Sequence, residues 1–218
     1  MEEDIKVINL SFVNAFLVKI KGGFALIDTG LSRQWEKLEK ILISEGCLPN
    51  KLKIVILTHG DGDHIGNAKK LGEKYKVKIA IHKADYNWLE SGEIPKRKVK
   101  AGFMKVLLAL FLLFRKNKAD KNLFKADLFL KDNESLKKYG FDAKVIHTPG
   151  HSSGSVVILT KGKNLFAGDT LENRKKPKTA QIIENEDDLK NSLKKIKKLD
   201  IKMVYPGHGK PFLMKDLN

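Results

Sequence analysis

The chain has 218 residues, 42% of them hydrophobic, and a formal net charge of +16 carried almost wholly by lysine. That length suits one domain with a substantial core, and a single cysteine, Cys47, excludes an internal disulfide framework and fits a reducing compartment. The lysines are spread along the chain and arginine, the better phosphate and base reader, is scarce, so most of the charge reads as a solvated surface and a nucleic-acid partner is not favoured.

Met1-Glu2-Glu3-Asp4 is acidic and lacks an apolar core, so it does not read as a signal peptide and a cytoplasmic location is expected. Ile5 to Leu10 and Phe12 to Ile20 read as strands, with Phe12, Phe16 and Val18 expected in the core. Lys21-Gly22-Gly23 signals a turn, and Phe24 to Ile27 resumes a strand that ends in Asp28-Thr29-Gly30, a carboxylate at a strand end. Ser32 is expected to cap a helix whose apolar positions are Trp35, Leu38, Ile41 and Leu42 and whose stop is Gly46.

Lys51 to Leu57 is the strand that delivers the most informative stretch, Leu57-Thr58-His59-Gly60-Asp61-Gly62-Asp63-His64-Ile65-Gly66. His59, Asp61, Asp63 and His64 can each bind a metal, since imidazole and carboxylate are good ligands for zinc, iron or manganese. In an extended loop His59, Asp61 and Asp63 would lean to one side while His64 points elsewhere, toward a second metal. Gly60 and Gly62 would let the backbone turn tightly between them. Asn67 to Tyr75 reads as a helix and Val77 to Ile81 as a strand.

Residues 83 to 125 interrupt the pattern. The segment opens polar, turns basic at Lys96-Arg97-Lys98, runs apolar from Ala101 to Phe114 and closes with Arg115-Lys116-Asn117-Lys118. The run is too short to span a bilayer, and its apolar residues cover most of a helix circumference, so it calls for burial on more than one side. It reads first as a helical lid over the site. A peripheral membrane contact through 101–114 and a contact between copies of the chain are the other readings.

Ala126 to Leu130 and Ala143 to His147 read as strands, followed by a turn rich in Pro, Gly and Ser with His151 at its centre. Val156 to Thr160 and Leu165 to Ala167 form a hairpin that ends in Gly168-Asp169-Thr170. Asn185 to Leu199 is a helix with acids in its first turn, lysines after, and Leu189, Leu193 and Ile196 as its buried stripe. Met203 to Tyr205 is a last strand, running into Pro206-Gly207-His208-Gly209. His147 and His82 read as packed or exposed histidines, and Tyr205 and Lys210 as flanks of His208.

Strand ends therefore deliver, in order, Asp28; His59, Asp61, Asp63 and His64; His151; Asp169; and His208, with four of the six histidines in these loops. The pattern resembles the metallo-β-lactamase superfamily, and within it the glyoxalase II-like hydrolases. The resemblance covers almost the whole chain outside 83–125. It implies an αββα sandwich, a layered α/β domain with the site at one edge between two sheets. It further implies His59 and His151 as ligands of a first metal, Asp63, His64 and His208 as ligands of a second, and Asp169 as the bridge. Asp28 would prop the metal loop, and Asp63 would handle a proton; these two are the candidate catalytic carboxylates. Asp61 stands where the usual motif has a histidine and is kept as a ligand. The resemblance implies two divalent ions, zinc first, with iron or manganese favoured by the extra carboxylate. The implied activity is hydrolysis by a hydroxide shared between them, directed at an ester, thioester or lactone of a small, acyl-containing substrate. A phosphodiesterase or nuclease of the same fold, and a mono-iron enzyme of oxygen or sulfur chemistry, are the alternatives.

Overall fold

A computed structural model describes residues 3–92, 96–99 and 124–217. The first half of the chain gives strands β1 (Ile5–Leu10), β2 (Val13–Ile20) and β3 (Gly23–Ile27), helix α1 (Trp35–Ser44), β4 (Leu52–Ile56), the short α2 (Gly62–Ile65), α3 (Ala68–Tyr75), β5 (Ile79–His82), α4 (Lys83–Ser91), β6 (Lys98–Val99) and β7 (Leu128–Leu130). The second half gives β8 (Ala143–His147), β9 (Val156–Thr160), β10 (Asn164–Gly168), β11 (Leu171–Glu172), β12 (Lys178–Thr179), β13 (Ile182–Ile183), helix α5 (Glu186–Lys197), β14 (Met203–Pro206) and β15 (Phe212–Leu213).

Two sheets carry the architecture: a six-stranded one in the order β1-β2-β3-β4-β5-β7 and a five-stranded one in the order β15-β14-β10-β9-β8. They face each other through Phe16, Val18, Ile27, Ile54 and Ile56 on one side and Val145, Val156, Ile158 and Phe166 on the other. Phe16 and Phe166 meet across this seam with ring centroids 5.2 Å apart. The outer face of the larger sheet buries Leu17, Leu26 and Val55 with Leu38 and Leu42 of α1 and Leu71 of α3. The outer face of the smaller sheet buries Val157, Leu165 and Val204 with Ile196 of α5. The layers run helix, sheet, sheet, helix. Strands covered on both faces have no solvent side, so β2 and β4 read as nearly continuous apolar runs rather than as alternating ones.

Local departures from expectation have physical causes. Phe12 is 45% exposed rather than in the core, because Ser11 turns with φ +66° and the chain reverses between β1 and β2 there. Ser32 starts a 3₁₀ turn and does not cap α1. α1 has no side-chain cap; the Gln34 side chain instead closes the 3₁₀ turn, accepting the Leu31 N–H at 2.9 Å and donating to the Leu10 carbonyl at 2.5 Å. Asn185 does cap its helix, accepting from Asp187 and Asp188 at 2.9 and 3.1 Å. The segment expected as an interruption from residue 83 begins instead with α4, whose Asp85 is fully buried in the domain. The lid reading rests on 101–114, outside the described residues.

Candidate metal centre

β3 and β4 run parallel, as do β10 and β14, so their C-terminal ends lie at one edge of the two sheets. From that edge come Asp28, the 57–64 loop, Asp169 and the loop carrying His208, while the turn after β8 brings in His151. The loop after β4 is not extended throughout. From Gly62 it is a helical turn, so Asp63 and His64 sit on α2 and Asp61 precedes it in extended backbone.

The structure gathers the expected residues into three overlapping groups: His59, Asp61 and His151; His59, His64 and Asp169; and Asp63, His64 and His208. Asp61 Oδ2 lies 3.5 Å from His59 Nε2 and 3.2 Å from His151 Nε2. Asp63 Oδ2 lies 3.4 Å from His208 Nε2 and 3.9 Å from His64 Nε2. Asp169 stands between the two sets, 3.2 Å from His64 and His208 and 4.0 Å from His151.

Each imidazole is pinned through its other nitrogen. His151 Nδ1 faces the Ile182 carbonyl at 2.7 Å and His208 Nδ1 the Phe12 carbonyl at 2.5 Å. His64 Nδ1 lies 2.8 Å from Asp28 Oδ2. Thr58 Oγ1 donates its one proton to Asp28 and therefore accepts from His59 Nδ1, 3.0 Å away. All these acceptors put the proton on Nδ1, which leaves the Nε2 lone pairs pointing inward.

That arrangement fits cations. His59 Nε2, His64 Nε2 and Asp169 Oδ1 are buried without a hydrogen-bond partner among the described residues. His64 Nε2 and Asp169 Oδ1 face each other at 3.2 Å as two acceptors, a contact that needs a cation or an added proton between them. Without a cation, an added proton would meet that need. Burial acts to depress His64, but Asp169, Asp28 and Asp63 raise it well above its ordinary value. Burial likewise opposes, and Asp61 and Asp169 respectively drive, upward shifts at His151 and His208. Burial raises Asp61 and Asp169, yet Arg97 with His151 and His59 holds the first well below the carboxylate range, and His208 with His64 does so for the second.

The buried supports are as specific as the candidate ligands. Asp28 is fully buried and holds a left-handed φ of +58°. It accepts from the Thr58 N–H at 2.8 Å as well as from His64, so it stands behind the cluster rather than in it. Gly207 packs against two of the candidate ligands: a Cβ there would fall 2.5 Å from Asp169 Oδ1 and 2.7 Å from His64 Cε1. Asn14 in β2 donates to the carbonyls of Pro206 and Gly209 at 3.0 and 2.7 Å and so fixes the His208 loop. Asp85 and Arg97 complete the set. Sequence reading missed Asn14, Asp85 and Arg97 as site residues; the one signal for Asn14 is a polar residue inside an apolar strand. His82 and His147 lie outside the cluster, stacked on each other with centroids 4.1 Å apart. Tyr205 packs on Phe16 and Phe166 between the sheets.

Comparison with known proteins agrees with this fold. Residues 8–208 match the model of the metallo-beta-lactamase superfamily. The chain is 31% identical over 190 residues to a hydroxyacylglutathione hydrolase of Francisella tularensis subsp. novicida (strain U112); the match covers 85% of this chain and 61% of that protein, so the chain spans less than two thirds of that relative's length. It is 25% identical over 199 residues to a probable metallo-hydrolase of Bacillus subtilis (strain 168), covering 90% of this chain and 84% of the other. A metallo-beta-lactamase family protein from Thermus thermophilus superposes with a TM-score of 0.71 at 23% identity, covering 97% of this chain and 74% of that one. A protein crystallised in a di-iron-bound form superposes with a TM-score of 0.71 at 24% identity, covering 97% of this chain and 95% of that one. At those identities the structural likeness shows the fold.

Proposed function

The chain belongs to the metallo-beta-lactamase superfamily, and from that premise we propose that it is a metal-dependent hydrolase acting on an ester, thioester or lactone of a small molecule. The observation that carries the reading is the convergence of four imidazole Nε2 atoms and three carboxylates on one buried spot, with three of those acceptors left without a partner. His59, Asp61 and His151 would hold one divalent ion, Asp63, His64 and His208 a second, and Asp169 both. Such ions acidify a water near neutral pH and polarise the carbonyl under attack.

The chain's own residues do the rest. Thr58, Asp28, Ile182 and Phe12 keep the four imidazoles in the ligating tautomer, so no reorganisation is needed when substrate arrives. Asp63, with its side chain 24% exposed, is the most accessible of the three carboxylates and would take a proton from the attacking water and pass it to the leaving group. Asp28 is a positioning residue, since it is fully enclosed. The thioester half of the proposal leans on the relative named a hydroxyacylglutathione hydrolase. Zinc is the first choice of ion. Iron is the second reading, favoured by the carboxylate at position 61 and by the neighbour solved in a di-iron-bound form.

The test is a panel of aryl esters, acyl thioesters, lactones and phosphodiesters offered to metal-loaded protein. Turnover of the carbonyl substrates that disappears with a chelator and returns with the ion supports the proposal. Turnover of phosphodiesters alone would replace it with the nuclease reading.

A further inference from the structure

Asp61 carries a second partner besides the imidazoles. Arg97 Nη1 donates to Asp61 Oδ2 at 2.5 Å, the same oxygen that faces His59 and His151. The guanidinium is itself fixed from behind, with Nε and Nη2 each 3.4 Å from Glu184 Oε1. Glu184 is anchored in turn, accepting the Ser153 N–H at 2.7 Å. Arg97 is 12% exposed, so the pair is shielded from water.

Arg97 does not fill the cation position. His59 Nε2 has no hydrogen-bond partner among the described residues, whereas a guanidinium in that position would donate to it. Nor is Arg97 an open receptor for an anionic substrate group, since two carboxylates already face its single charge. What remains is a role toward Asp61. A carboxylate oxygen has two lone pairs, and a hydrogen bond on one leaves the other for a metal.

The backbone explains why Arg97 is there. β6 pairs with β13 in the register Val99 with Ile182 and Lys98 with Ile183. The Ile182 carbonyl is the group that faces His151 Nδ1. One two-stranded ribbon thus orients His151 from β13 and Asp61 from the residue preceding β6.

We propose that Arg97 is a positioning residue that fixes Asp61 as a ligand of the first metal and offsets its charge, so that the β6–β13 ribbon sets half of that site. The proposal rests on the two-metal reading above and adds a residue to it.

The experiment is calorimetric addition of zinc to metal-free protein, wild type beside Arg97→Gln, Arg97→Lys and Glu184→Gln. Wild type takes up two ions. Arg97→Gln weakens one of them by about 10- to 100-fold, the usual effect of losing a group that supports a ligand, and leaves the other unchanged. Arg97→Lys recovers part of the loss, because it restores charge but not the fork. Glu184→Gln shifts the same ion in the same direction by less. In a His208→Ala background, which removes a ligand of the second ion, Arg97→Gln weakens the ion that remains. Unchanged binding of both ions overturns the proposal while leaving the metal site standing. Tighter binding also overturns it, showing that Arg97 competes with the metal. Equal loss of both ions overturns it in favour of a general structural role. Failure of wild type to bind zinc or any other divalent ion overturns both this proposal and the function it rests on.

Discussion

Asp85, wholly buried near the start of α4, accepts the Gly154 N–H at 2.6 Å across 69 residues of sequence. Its other oxygen accepts the Gly60 N–H and the Ser152 hydroxyl, each at 2.7 Å. One carboxylate therefore ties the loop carrying His59 and Asp61 to the loop carrying His151. Asp85→Asn would put an amide N–H₂ among these donors and leave at least one of them buried and unpaired. The expected loss is about 2–4 kcal/mol of stability by urea unfolding. A change within about 0.5 kcal/mol, as surface substitutions give, would remove Asp85 from this role.

Asp28 holds His64 through a single contact to Nδ1 at 2.8 Å. Asp28→Asn keeps the size of the side chain but weakens the hold on tautomer and basicity. Metal affinity at the position ligated by Asp63, His64 and His208 should fall by about 10- to 100-fold, with the other position less affected. Competition with a coloured chelator reads this directly. Equal affinity in the variant would show that His64 needs no carboxylate behind it.

Gly207 is a glycine for reasons of space. Alanine there would press its Cβ on Asp169 and His64, and the neighbours that must move are proposed ligands. Overpacking of this kind costs about 1–3 kcal/mol, and here it should also lower metal content. Full occupancy in Gly207→Ala would contradict the tight approach.

The metal-free protein should respond to pH through the cluster. His64, His151 and His208 have folded values raised above 6.5, so their contribution is fully present below 6.5 and lost as pH rises through the folded values. Asp61 and Asp169 are depressed below 3.8, so theirs is present above 3.8 and lost as pH falls through the folded values. The melting temperature of metal-free protein should therefore fall as pH rises above 6.5, and bound metal, which expels those protons, should flatten that fall. A melting temperature that rises over the same range without metal would contradict the charge assignment.

Much of this cluster can be read from the sequence because its candidate ligands come from short loops with their own signals. Carboxylates at strand ends, Asp28 and Asp169, and histidines among glycines, His59, His64, His151 and His208, stand out without knowledge of the fold. Their supports do not stand out. Arg97 meets Asp61 across 36 residues, and Asn14 meets Pro206 across 192. Such contacts follow from sheet order and strand register, which local patterning does not carry. Phe12 reads as a core residue because it extends an apolar alternation. The turn at Ser11 instead places it over His208, with ring centroids 6.0 Å apart, and its carbonyl pins that ligand. The helical turn at Gly62 to Ile65 is too short to show a period, which is why the metal loop reads as extended.

The most direct test of the two-metal site is elemental analysis of protein reconstituted with a divalent ion and freed of excess, wild type beside His151→Ala and His208→Ala. Wild type should hold two ions per chain and each variant should lose one, His151→Ala emptying the position shared with His59 and Asp61 and His208→Ala the one shared with Asp63 and His64. Wild type that holds no ion, or variants that hold as many as wild type, would contradict the two-metal site.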